Sequence, residues 1–139
     1  MSNIDRVMNA ARELNKNIRN EHMAQMMPLY MYLQEFGTVE VNCGRLSGKT
    51  DYILANAEPG DLIILPHNEA VRWFHQLGFT NAQTIKSALR WLNGQPASAI
   101  SDNIWVDEPF LSFEHQENLR EFYFATAKRI NQTYIFLGA

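Results

Sequence analysis

The segment Gly44-Arg45-Leu46-Ser47-Gly48-Lys49-Thr50 constrains this chain more than any other, because one hydrophobic period stops before it and another starts within it. Thr38 to Asn42 alternates apolar and polar residues as a strand does, whereas Gly48 to Asn56 has the spacing of a helix. Two glycines between them let the backbone curl until successive N–H groups face inward, and the helix start adds its positive end. Asp61 to Leu65 follows as a buried apolar strand. The run is therefore β-loop-α-β, a unit whose two strands are parallel and whose sheet needs helices over both faces.

With 139 residues, 46% of them hydrophobic and 12% aromatic, the chain can bury one core and has no room for a second domain. A formal net charge of −3 excludes the broad basic field of proteins that hold nucleic acid by phosphate neutralisation alone, although a local basic patch is compatible with it. Cys43 is the only cysteine, so the expectation is a reducing, cytoplasmic setting without an internal disulfide or a zinc staple. Met1 to Asn20 is polar and helical in pattern, which argues against a secretory signal. No stretch approaches the ~20 apolar residues of a membrane span.

Ile4, Val7, Met8, Ala11, Leu14 and Ile18 recur at helical spacing, with Ser2 or Asn3 placed to cap, and predict an amphipathic helix over Asp5 to Arg19. A second helical stretch runs from Glu21 to Phe36 and stops at Gly37, with Pro28 predicting a kink or a restart. Its Met23, Met26, Met27 and Met31 suit either a core-packed helix or a deformable partner-binding face. Beyond the strand at Asp61 to Leu65 come a helix over Glu69 to Leu77 and a helix ending at Leu92. That second helix is preceded by a short strand at Gln83 to Ile85 or else is one longer helix capped by Thr80. Asn103 to Val106 reads as a buried strand, Gln116 to Ile130 as an amphipathic helix and Thr133 to Leu137 as a last strand. The expected fold class is α/β: a three-layer α/β/α arrangement with a mostly parallel central sheet, preceded by N-terminal helices. Residues 1–37 are expected to pack as a helical segment on the domain formed by 38–139, one structural domain overall.

A phosphate-binding loop of the Walker A type needs just this strand-to-helix context. Gly44, Arg45, Ser47, Gly48, Lys49 and Thr50 are then the nucleotide-binding residues: backbone N–H groups cradle phosphate, Lys49 reaches the β- and γ-phosphates, and the Thr50 hydroxyl ligates magnesium. The common pattern puts its first glycine where this chain has Cys43, and Gly44 follows one place later. Asn103-Ile104-Trp105-Val106-Asp107-Glu108-Pro109 is an apolar strand ending in adjacent carboxylates, the form of a Walker B motif. Asp107 would hold magnesium through water, and Glu108 would orient or deprotonate an attacking water. The cofactors implied are ATP and Mg2+.

Together these motifs resemble those of the additional-strand P-loop NTPases, particularly the first RecA-like domain of superfamily-one helicases and the ATPase domains of phage large terminases. Asp61 to Asn68 is similar to the strand and loop that those motors use beside nucleic acid. Thr84-Ile85-Lys86-Ser87 is similar to a helicase strand-to-helix element, and Thr133 to Gly138 to the strand ending in a γ-phosphate sensor. The resemblance implies that a glutamine preceding the loop, Gln34 or else Gln25, reads adenine. It also implies an arginine finger. Gly138-Ala139 offers no polar sensor residue, and a second RecA-like half is missing, so a protein partner or a homo-oligomer is expected to complete the site.

Arg45 is a further candidate for phosphate or a neighbouring subunit, and Arg120, Lys128 and Arg129 on the last helix are candidates for a finger in trans. Arg72, Trp73, His75, Lys86, Arg90 and Trp91 interleave basic and aromatic side chains, a composition that can stack and neutralise single-stranded nucleic acid; burial of the tryptophans beneath scattered charge explains it as well. The leading expectation is an ATP-binding protein with slow or partner-stimulated hydrolysis. The alternatives are a regulatory module acting on a larger ATPase or nucleic-acid enzyme, and a small nucleotide kinase. The third lacks an arginine-rich lid segment.

Overall fold

A computed structural model of the chain describes residues 3–42, 48–113 and 115–138. Three helices come first: α1 (Asn3–Ile18), α2 (Glu21–Met26) and α3 (Leu29–Phe36). Asn20 caps α2, its side-chain oxygen accepting from the N–H groups of His22 and Met23 at 3.0 and 3.3 Å. Pro28 separates α2 from α3 as a restart rather than a kink, since Met27 and Pro28 are both extended. Helix α3 ends at Gly37, where a β-carbon would meet the Leu33 backbone at 2.9–3.0 Å, so the cap position calls for glycine.

The rest alternates: β1 (Thr38–Asn42), α4 (Lys49–Asn56), β2 (Leu62–Ile64), α5 (Asn68–Gln76), β3 (Ala82–Gln83), α6 (Ile85–Leu92), β4 (Asn103–Asp107), α7 (Pro109–Ser112), α8 (Gln116–Thr126) and β5 (Thr133–Gly138). All five strands are parallel in the order β1-β5-β4-β2-β3. Chain order and sheet order disagree because the path runs outward from β1 to β3 and then returns. With right-handed crossovers, the outward helices α4 and α5 cover one face and the returning α6 and α8 cover the other.

Side-chain alternation along the strands matches these two layers. Leu62, Ile64, Ile104, Val106, Tyr134 and Phe136 face a core shared with Tyr32, Leu33, Ile85 and Phe122 of α3, α6 and α8. Ile63, Trp105, Ile135 and Leu137 face the other, with Met8, Tyr52, Ile53 and Phe74 of α1, α4 and α5. The protein is thus a three-layer α/β/α fold, as its alternating pattern predicts, and its N-terminal helices join both outer layers. No described helix is long and apolar enough to cross a membrane.

Helix α1 is fastened by polar groups as well as by packing. The Arg12 guanidinium lies 5.4 Å above the ring of the central Trp105 and donates to the Tyr52 hydroxyl at 3.2 Å. The buried Asn15 donates to the Phe36 carbonyl at 2.8 Å, and Arg19 donates to the carbonyls of Ile130 and Gln132 where β5 begins. Only part of the expected apolar stripe is covered: Met8 is buried, but Val7, Leu14 and Ile18 are 50%, 63% and 49% exposed.

The helix expected to reach Ile130 ends at Thr126. Gln132, fully buried, accepts from the N–H groups of Lys128 and Arg129 and donates to the Thr126 carbonyl, so a side-chain-held loop replaces the last helical turn. Lys128 and Arg129 therefore lie beyond the helix. The short strand before α6 exists, and Thr84 caps that helix.

Candidate functional site

In an open parallel sheet, ligands bind beyond the carboxyl ends of the strands, where the strand order reverses. The β1, β5 and β4 ends, Asn42, Gly138 and Asp107, line a cleft of about 1110 Å³ there, together with Glu108, Phe110 and His67. A smaller cavity of about 320 Å³ adjoins it past His67 and Leu111 and reaches Thr84 and Lys86 at the start of α6.

Helix α4 begins at this edge. Gly48, its N-cap, has φ +119°, a left-handed backbone that a β-carbon would strain. The turn aims Lys49 and Thr50 at the end of β4, one strand away from β1 with β5 between. The Thr50 hydroxyl donates to Asp107 Oδ2 at 3.5 Å. Lys49 is 8% exposed and ion-pairs with Glu108 Oε1, so its ammonium turns inward to a carboxylate.

Asp107 ends β4 on the same face as Trp105 and is itself 8% exposed. Its Oδ1 is buried and has no hydrogen-bond partner among the described residues. Burial raises its pKa above the ordinary carboxylate value, and the neighbouring Glu108 charge adds to this; Lys49, the Thr50 hydroxyl and the Glu108 N–H oppose it. The described residues therefore leave this carboxylate incompletely paired, and a cation against Oδ1 would complete it.

Glu108 is the one described non-glycine residue with positive φ, at 51°. Its N–H donates to the Leu137 carbonyl at 2.9 Å, and its own carbonyl accepts from the N–H groups of Leu111 and Ser112 at 2.9 and 2.8 Å. The buried Ser112 hydroxyl donates to the Asp107 carbonyl at 2.7 Å. Sequence reasoning passed over Ser112 and α7, although Pro109 directly after Glu108 is the usual signal of a helix start.

Of the residues expected in the site, the fold brings together Gly48, Lys49, Thr50, Asp107 and Glu108. Cys43, Gly44, Arg45, Leu46, Ser47 and Ala139 lie outside the described residues. Gln34 and Gln25 are exposed on α3 and α2 and do not line the cleft. Arg120 is exposed on α8. Arg129 is committed at the opposite edge of the sheet, where its Nε donates to Asp102 Oδ1 at 2.7 Å and its guanidinium also reaches the carbonyls of Ala97 and Ile100. The basic and aromatic residues expected to act together are divided, since α5 and α6 belong to opposite layers. Trp73 is 45% exposed, not buried.

No protein-family model, curated protein or solved structure matches this chain.

Proposed function

We propose that the chain is an ATP-binding P-loop protein with slow or partner-stimulated hydrolysis, similar in design to the first half of a helicase or terminase motor. The observation that carries this reading is the meeting of Lys49, Thr50, Asp107 and Glu108, from two separate motifs, at the carboxyl edge of the sheet. An inserted strand between β1 and β4 also suits the additional-strand class.

Magnesium fits the donors present. Thr50 and Asp107 offer hard oxygens, and Asp107 Oδ1, unpartnered among the described residues, is an atom in need of a cation. Magnesium keeps several waters and is held by one or two protein oxygens together with phosphate. Magnesium bound there neutralises phosphate charge. Lys49 holds the β- and γ-phosphates, Gly48 lets the start of α4 approach them, and Glu108 orients the attacking water.

Hydrolysis also needs positive charge on the departing phosphate, and an arginine finger is worth ~10³ to 10⁵ in rate. No arginine among the described residues lines the cleft. Motors of the kind the sequence resembles take it from a second domain or a neighbouring subunit, so a protein partner or a second copy is assigned that cation. The same partner would cover Phe110, which lines the cleft and is 90% exposed. Its exposure also favours the second reading, a nucleotide-dependent or nucleotide-free regulatory module.

Titration with ATP, ADP and GTP in magnesium, followed by phosphate release with and without single-stranded and duplex DNA, tests the proposal. Binding with slow release supports it. Transfer to nucleoside monophosphates identifies a kinase instead, and binding of none of the three nucleotides contradicts it.

A further inference from the structure

The two groups that nucleotide chemistry would use are paired with each other. The Lys49 ammonium is paired with the Glu108 carboxylate, and the two side chains are only 10% and 22% exposed. Little solvent screens them, so the attraction exceeds that of a surface pair. Glu108 is also held in place from behind: the Leu137 carbonyl, the N–H groups of Leu111 and Ser112 and the Ser112 hydroxyl on Asp107 fix the left-handed turn on which it sits. Lys49, by contrast, sits at the end of four flexible carbons.

We infer that the Lys49–Glu108 pair is a self-locking latch, in which phosphate enters only by taking Lys49 from Glu108 and thereby frees Glu108 to act on water. The inference rests on the nucleotide-binding reading and adds regulation to it. While the pair is closed, Lys49 offers no charge to phosphate, and the Glu108 carboxylate accepts from an ammonium rather than from water. An arriving phosphate with more than one negative charge competes for the ammonium, and the long Lys49 side chain swings toward it while the Glu108 backbone stays. Affinity is thus lower than the cradle alone would provide, and the base is released only when a phosphate is present.

The test is calorimetric titration of ADP without divalent metal, which isolates phosphate binding from metal binding and from turnover. Wild type is compared with Glu108→Gln, Glu108→Ala and Glu40→Gln. Glu40 lines the same cleft and is exposed, so its substitution removes an equal charge without touching the pair. A latch predicts that both Glu108 variants bind ADP about tenfold tighter than wild type, with a far smaller gain for Glu40→Gln. In the wild type, the resonance of an isotope-labelled Glu108 carboxyl should shift on adding ADP as Lys49 departs, a readout that needs no variant to fold. Equal affinity in the Glu108 variants, an equal gain in Glu40→Gln, or an unmoved carboxyl resonance at saturating ADP overturns the latch and leaves the nucleotide site standing. Absence of ADP binding in every form, wild type included, overturns both.

Discussion

At the scale of single residues, the fold holds Asp107 at a cost. Its Oδ1 is buried without a partner among the described residues, and burial raises its pKa. A carboxyl whose folded pKa exceeds its unfolded value binds its proton more tightly when folded, so stability falls as pH rises from the ordinary ~3.9 through that raised value. Asp107→Asn removes the charge and keeps the shape. It should stabilise the ligand-free chain by about 1 kcal/mol at neutral pH, with the advantage vanishing below the ordinary carboxylate range. Thermal unfolding of both forms across pH checks this; a less stable variant at neutral pH would contradict it. The same substitution should weaken nucleotide binding in magnesium far more than without it. Ser112→Ala, which frees the Asp107 carbonyl, should lower turnover with little change in nucleotide affinity, because it loosens the seat of Glu108 and leaves Lys49 in place.

At the scale of elements, the site depends on turns that deliver side chains to one edge. Gly48→Ala imposes a β-carbon on a left-handed residue whose nearest neighbour, Ile4 Cγ2, would lie 3.1 Å away. It should cost about 1–2 kcal/mol and displace Lys49, so that affinity falls together with stability. Gln132 holds the loop that brings the chain from α8 into β5. Gln132→Ala would leave the Lys128 and Arg129 N–H groups and the Thr126 carbonyl without their partner, and chemical denaturation should report a loss of about 2–3 kcal/mol. This loop also marks where periodicity misleads: apolar spacing continues through Ile130, but a buried glutamine and the Arg129–Asp102 pair outbid the last helical turn. Short elements escape for a related reason. The four residues of α7 are too few to show a period, whereas β1, α4 and β4 were legible because their patterns run without interruption up to a glycine or a pair of acids.

At the scale of the whole molecule, layering was readable from the sequence because alternating strands and helices admit few arrangements. The strand order was not, since the reversal that brings β5 between β1 and β4 is set by long-range packing. The pairing of Lys49 with Glu108 was equally hidden, because residues fifty-nine apart in sequence reveal a spacing but not an orientation. The exposure of Val7, Leu14 and Ile18 was invisible too: an amphipathic pattern states that a helix has an apolar face, not how much of it a neighbour covers. If the finger comes from a partner, as in the motors that the sequence resembles, phosphate release by the isolated chain should stay well below ~1 s⁻¹ and rise only when that partner adds a cation.

The central claim, that Lys49 belongs to a nucleotide-phosphate site, is tested most directly by calorimetric titration of ATP with magnesium into wild type and Lys49→Ala, with folding of each checked by circular dichroism. The account predicts saturable binding to wild type, and an affinity at least about a hundredfold weaker in a folded Lys49→Ala, the scale of a lost charge-assisted contact. Equal ATP affinity in the two proteins would contradict it.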